Sequence, residues 1–373
     1  MYKFQNLDRN IDRDYLKNIN PSDKIERNKA LSKNIKEIRQ LNKSGTCYYC
    51  GKPVTSYCKS HSIPRFCLEN IEEKGMVTGI NSIMGLPDMG VSIGKHTIGI
   101  GEAGTFSIIC RECDQMLFRE YENPANYLDE AIPTQKMMAQ IAMKNYIKFI
   151  HKKEIEISML ERLMTQGSDF EISNLSDLYE VITKLQVYKT DLIAYQDSFE
   201  QAKRVLNTGK KGYYLFYYKL LEYVVPIAFQ APIALSIDLG DGVINDVFNK
   251  DLNYKITDIH ICVFPLLSKT AVMLFVEEGD KRYRKFRKQF KKLDEEAKLG
   301  VINYIVFLYG EDYYMAKNVR DMIDTEELRD VVNTIPILWN DSPSIETGIL
   351  TEKYSLGKWN SIPNLLSEQY KLR

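Results

Sequence analysis

A chain of 373 residues is long enough to bury a sizeable core and to divide into two or three domains. Its composition, 44% apolar and 27% charged, excludes disorder over most of the length. Lys plus Arg equals Asp plus Glu at 50 each, so bulk charge selects no polyanionic partner and only local patches can. The N-terminus, MYKFQNLDRNIDRD, is polar and charged, unlike a secretory leader. The most apolar run, Tyr223 to Leu239, is interrupted by Pro226, Gln230, Pro232 and Asp238. A membrane helix needs about 20 apolar residues, so no span is expected and the chain is expected in the cytoplasm.

Residues 8–43 read as helix, because Ile25, Leu31, Ile35, Ile38 and Leu41 recur at roughly helical spacing and Ser44-Gly45 follows. Over 1–46 this arm carries eleven Lys/Arg against six Asp/Glu, which makes it locally basic. Glycines at 75, 79, 85, 90, 94, 99, 101 and 104 predict loops and short hairpins. Residues 134–166 and 177–207 are helical in pattern, with His151 on a helix face. From about 211 the character changes, and aromatic and β-branched runs predict strands at Tyr213–Tyr218, Ile256–Phe264, Thr270–Val276 and Val301–Tyr309. A charged helix is expected at 281–298.

Four of the seven cysteines fall in two C-x-x-C pairs, Cys47/Cys50 and Cys110/Cys113. With no export signal, metal binding accounts for them better than disulfides do. Two thiolates separated by two residues can share one tetrahedral zinc, and Gly51 lets the backbone turn behind the second. In the simplest arrangement the second pair completes the shell. A rival set is Cys47, Cys50, Cys58 and His61, spaced as a closed structural zinc site. The two cannot both hold.

Between the pairs stands Ser60-His61-Ser62-Ile63-Pro64-Arg65. A cysteine knuckle, then a His followed by an apolar residue and Pro, then a second C-x-x-C trailed by Asp114, resembles the HNH endonuclease family over about 70 residues. The resemblance implies a ββα-metal fold, with the His on a hairpin and the residue after the last Cys on a helix. It implies structural zinc on the four cysteines, His61 as general base, and Asp114 as ligand of a catalytic divalent cation, magnesium or manganese. Lys59 and Arg65 beside the base would hold the phosphate. Ser60 stands where the family has a metal-binding Asp or Glu, and the family's middle Asn is absent near Gly104-Thr105-Phe106. A carboxylate from elsewhere, such as Glu120 or Glu122, would then complete the shell. The alternative is a zinc-stapled binding module without catalysis.

The segment 281–292 holds eight basic residues in twelve, among them Lys281, Arg282, Arg284, Lys285, Arg287 and Lys288. Tyr283, Phe286, Phe290 and Leu293 share one helical face. The others could lie along a phosphate backbone or form a solvated face. Asp238, Asp241 and Asp246, around two glycines, read as a turn sooner than as a metal site.

The expected fold is α+β. A basic helical arm (1–46) precedes an HNH-like zinc module (47–125) and a helical connector (126–210). A mixed α/β domain (211–373) for recognition or homo-oligomerisation completes the chain. The expected activity is metal-dependent endonucleolytic hydrolysis of nucleic acid, DNA before RNA. The resemblance extends to bacterial restriction or antiviral-defence effectors.

Overall fold

The computed structural model describes residue 33 and residues 36–79, 96–128, 132–166, 175–246, 249, 251, 254–332 and 354–373. Most of the arm over 1–46, the centre of the Gly-rich stretch and Trp339 lie outside the described residues. Within them the fold is α+β. In chain order come β1 (Ser60–His61), α1 (Arg65–Glu69), β2 (Met76–Gly79), β3 (His96–Gly99), β4 (Thr105–Phe106) and α2 (Arg111–Phe118). Two long helices follow, α3 (Gln135–Gln166) and α4 (Leu175–Thr208). The rest is β5 (Tyr213–Leu221), β6 (Ile227–Ile233), β7 (Ile259–Pro265), β8 (Thr270–Glu277), α5 (Arg284–Phe290), α6 (Glu295–Tyr309), β9 (Tyr313–Met315), α7 (Arg320–Ile323) and α8 (Glu326–Val332). None of the described helices is long and apolar enough to cross a membrane.

A seven-stranded antiparallel sheet runs in the order β3-β2-β9-β6-β7-β8-β5. The hairpin β2–β3, from between the two cysteine pairs, therefore continues the sheet made by the C-terminal strands. One contiguous apolar core joins them. Pro232 pairs with His260 of β7, and β9 reaches only Ile227 to Phe229, so beyond Phe229 the other side of β6 carries no ladder for a Pro nitrogen to break.

Strand alternation assigns the two faces. His260, Phe275 and Tyr213 lie on one face, where His260 stacks on Phe275 at 4.6 Å and Tyr213 meets both rings edge-on. Helix α3 covers this face, Asn145 Nδ2 donating to His260 Nδ1 at 3.1 Å and Gln230 Nε2 to Asn145 Oδ1 at 2.9 Å. Phe66 of α1, Tyr121 and Tyr127 gather there on Phe264. The opposite face carries Tyr214 and the α5 side chains packed on it, with Phe216 against Phe286 and Phe290. Ion pairs from Lys148 to Asp312 and from Lys152 to Glu311 tie α3 to the turn before β9.

Residues Val301–Tyr309, expected as a strand, are the end of α6, a correction with a clear cause. Asp294 caps that helix by accepting from Ala297 N at 2.8 Å, and Glu295 and Glu296 fill its first turn. From Leu299 on every residue is buried and all but Asn303 are apolar, so periodicity could not separate this stretch from a buried strand. The charged helix expected over 281–298 stops at Phe290 and restarts at Glu295.

The far ends of α3 and α4 pack on each other through a separate small cluster of Ile157, Leu160, Val181 and Tyr188. Residues 36–41, the described end of the arm, are helical. They lie along the same part of α3, Asn42 Nδ2 donating to Glu154 O at 3.1 Å and Ser158 Oγ to Asn42 Oδ1 at 2.9 Å.

Burial holds His260 neutral, its pKa pushed down to about 3. A depressed histidine pKa means the unfolded chain binds the proton first, so this group withdraws stability as pH falls from about 6.5. His260→Gln keeps an acceptor for Asn145 and removes the titration. The stability difference between wild type and variant is expected to change by about 1.4 kcal/mol per pH unit between about pH 6 and 4, in the variant's favour on acidification. Urea unfolding at several pH values checks this; parallel curves would contradict it.

Candidate metal centre and adjoining histidine site

The four-cysteine module begins with a knuckle that the backbone closes on itself. Gly51 N bonds Cys47 O at 2.9 Å, and Cys47 N bonds Lys52 O at 2.9 Å. Gly51 has φ 69°, the left-handed conformation that this turn demands. Tyr48 N to Ile108 O at 3.0 Å and Cys58 N to Ile109 O at 2.8 Å then draw the knuckle against the segment leading to Cys110. Cys110 is the N-cap of α2, its Sγ accepting from Cys113 N at 3.4 Å.

These bonds bring the four sulfurs of Cys47, Cys50, Cys110 and Cys113 within 4.8 Å of one another. Tetrahedral zinc with bonds of about 2.3 Å puts its sulfurs about 3.8 Å apart, so the donor set fits that ion. Burial disfavours a charged Cys47. The N–H groups of Cys50, Cys110 and Tyr49 outweigh it and bring its pKa down to about 7. Cys113 moves the other way, raised by burial and by its three neighbouring cysteines. A dication is what lets all four be thiolates together.

The rival ligand set is not assembled. Cys58 Sγ points to Asp114 Oδ2 at 3.6 Å, and burial with that carboxylate pushes its pKa up to about 11. His61 is turned to Ile100.

Strand β1 pairs antiparallel with β4, Ser60 opposite Phe106 and His61 opposite Thr105, and α2 follows. Gly104 shapes the turn into β4, with φ 64° and its oxygen accepting from Ser62 N at 2.9 Å. A Cβ at Gly104 would stand 2.5 Å from Ser62 Oγ. His61, partly buried, has Nε2 at 2.9 Å from Ile100 O. A carbonyl only accepts, so Nε2 carries the proton and Nδ1 keeps its lone pair. Among the described residues nothing bonds Nδ1. Burial lowers the imidazole pKa, Lys144 and Arg65 adding to the effect, so the ring is neutral at pH 7.

Asp114 sits one turn into α2, where burial opposes its charge. Lys144, Ser60 and Cys58 outweigh that and hold its carboxyl below the ordinary range. Ser60 Oγ lies 2.5 Å from Asp114 Oδ1. Lys144, from α3, donates to Asp114 Oδ1 at 2.9 Å and to Ser60 Oγ at 2.6 Å, and pairs with Glu122 Oε1 at 3.0 Å. Its Nζ also stands 3.9 Å over the Phe118 ring. Of the two carboxylates considered for the shell, Glu122 therefore joins the cluster, whereas Glu120 pairs with Lys136 at the surface.

With Lys144 between Asp114 and Glu122, the residues present do not fit the magnesium-class ion that the resemblance implies for Asp114. Sequence reasoning missed Lys144. The available signal was a charged residue in step with Met137, Ile141 and Ile147 on the buried face of α3.

The flanking cations are at the surface, Lys59 paired with Glu102 and Arg65 with Glu69, pairs weak enough to exchange for phosphate. The basic stretch lies elsewhere. Helix α5 covers the sheet face opposite α3 and the four-cysteine module, so its cations do not extend the His61 site. Several are engaged: Lys285 with Asp238, Arg282 with Asn245 Oδ1 and the Tyr254 ring, Arg287 over Tyr214. Lys281, Arg284 and Lys288 are exposed. Asp238 forms the expected turn, accepting from Gly240 N at 2.8 Å and Gly242 N at 2.9 Å. No family model, curated protein or solved structure matches this chain.

Proposed function

We propose that the chain is an endonuclease that hydrolyses phosphodiester bonds through His61, on a zinc-stapled module similar to those of HNH enzymes. The observation that carries this reading is the His61 ring, neutral, fixed through Nε2 to Ile100 O, with Nδ1 unengaged among the described residues. In the step proposed, Nδ1 takes a proton from water, the water oxygen bonds phosphorus, and the bond to the leaving oxygen breaks. The imidazolium proton passes to that oxygen or to solvent. Arg65 and Lys59 are the nearby surface cations able to face the phosphate. The zinc is structural, and it holds the start of α2 against the knuckle. The test is incubation of plasmid and RNA with purified protein and with His61→Ala; equal cutting by both would remove His61 from the mechanism.

A second reading, a binding module without catalysis, is favoured by one observation. The Lys144 ammonium is 1% exposed, so it cannot itself touch a scissile phosphate. Under that reading neither protein cuts, while both retain nucleic acid in a salt-dependent way.

A further inference from the structure

Asp114 and Glu122 are two carboxylates directed at one point, and Ser60 adds a hydroxyl oxygen. That is a donor set for a small cation, and one is already there. Lys144 Nζ meets Ser60 Oγ at 2.6 Å, Asp114 Oδ1 at 2.9 Å and Glu122 Oε1 at 3.0 Å. An ammonium has three hydrogens, and each has an acceptor. The Phe118 ring closes a further side at 3.9 Å. With 1% of the side chain exposed, almost no water reaches the ammonium, and these partners take the place of solvent around it.

We propose that the Ser60–Asp114–Glu122 cluster has the Lys144 ammonium as its resident cation, and that a divalent ion enters only when that side chain is removed. Three features converge on this. Asp114 Oδ1 already takes two short hydrogen bonds, from Ser60 and Lys144, which leaves it poorly placed to bind a metal as well. A dication bound to Asp114 or Glu122 would stand within bonding reach of a like charge. Residue 60 is a hydroxyl that can donate to Asp114 and accept from Lys144, whereas a carboxylate there could not donate. Helix α3 is in turn held by the Asn145–His260 contact and the Lys148–Asp312 pair, so Lys144 is delivered by a fixed element. The inference deepens the nuclease reading and rests on it for its consequence, that cleavage proceeds without added Mg²⁺.

The experiment titrates the zinc-loaded full chain with Mn²⁺, free Mn²⁺ being followed by electron paramagnetic resonance. Wild type is compared with Asp114→Asn, Lys144→Met and Lys144→Met/Asp114→Asn. Methionine keeps an apolar stem over Phe118, and retained zinc reports that the module is folded. Wild type is expected to take up no more Mn²⁺ than Asp114→Asn does. Lys144→Met is expected to bind one Mn²⁺ at least about tenfold more tightly than wild type, and to lose it in the double variant.

Asp114-dependent Mn²⁺ uptake by wild type would overturn the proposal, and that comparison stands even if the Lys144 variants fail to fold. A folded Lys144→Met that binds no Mn²⁺ would overturn it as well. Cleavage by wild type and His61→Ala, assayed in parallel with and without Mg²⁺, separates the readings. Cutting that requires added Mg²⁺ would overturn the inference, whereas if neither protein cuts under either condition but the Mn²⁺ results hold, the nuclease reading fails alone.

Discussion

His61→Ala is expected to lower phosphodiester cleavage by about 10²- to 10⁴-fold while leaving zinc content and folding unchanged. The size follows from what the ring does. A general base contributes only if its lone pair is held at the reacting water in the correct tautomer. Here the bond from Nε2 to Ile100 O sets the tautomer, and β1 paired to β4 sets the position. The folding cost should be small, because the ring is only partly buried and its hydrogen bond to Ile100 is to backbone. His61→Gln is expected to fall with His61→Ala, since an amide can occupy the space but cannot accept the proton. The pH profile gives a second check. With the imidazole pKa lowered by burial, the rate should begin to fall only below the usual histidine range near ~6.5. Single-turnover cleavage of a supercoiled plasmid reads both. An acid limb at or above that range would contradict the buried setting of the ring.

Cys110→Ser is expected to remove the zinc and with it the order of the whole module. Structural zinc contributes about 10–16 kcal/mol to small zinc domains, as much as the entire stability of a typical domain. Cys110 has a double role here, one thiol of the cluster and also the cap of α2. A hydroxyl replaces the cap more readily than it replaces the thiolate. Zinc measured by plasma mass spectrometry should fall from one per chain to near zero, and trypsin should cut within 47–118. Cys58→Ser is the matched control. Its sulfur faces Asp114 instead of the cluster, so zinc content should not change.

Much of this arrangement was legible in the order of residues, because its causes are local. Cysteines separated by two residues point to a shared ion, and the four sulfurs do converge. The long helices and three of the four strands expected beyond residue 211 follow from hydrophobic periodicity and β-branched runs. The strand expected over Val301–Tyr309 failed for a physical reason. A helix enclosed on every side has no polar stripe to betray its period, and the signal that did exist was the capping Asp294 with two glutamates after it.

What stayed hidden depends on contacts between distant segments. Lys144 meets Ser60 across 84 positions of sequence, and no pattern within α3 says which acceptors await it. Likewise the basic run 281–292 advertises its charge but not its side of the sheet. Only the alternation of Tyr213 and Tyr214 on β5, with α3 on one face and α5 on the other, separates it from His61. The join of β2–β3 to the C-terminal strands through β9 was equally out of reach, since a three-residue strand carries almost no periodic signal.

X-ray absorption at the zinc edge of the purified protein tests the arrangement at its root. Four sulfur neighbours at about 2.3 Å and no light-atom ligand are expected, because the sulfurs of Cys47, Cys50, Cys110 and Cys113 lie within 4.8 Å of one another and are enough to fill a tetrahedral shell. A shell containing imidazole nitrogen would tie His61 to the metal, deny it the role of base, and contradict the account.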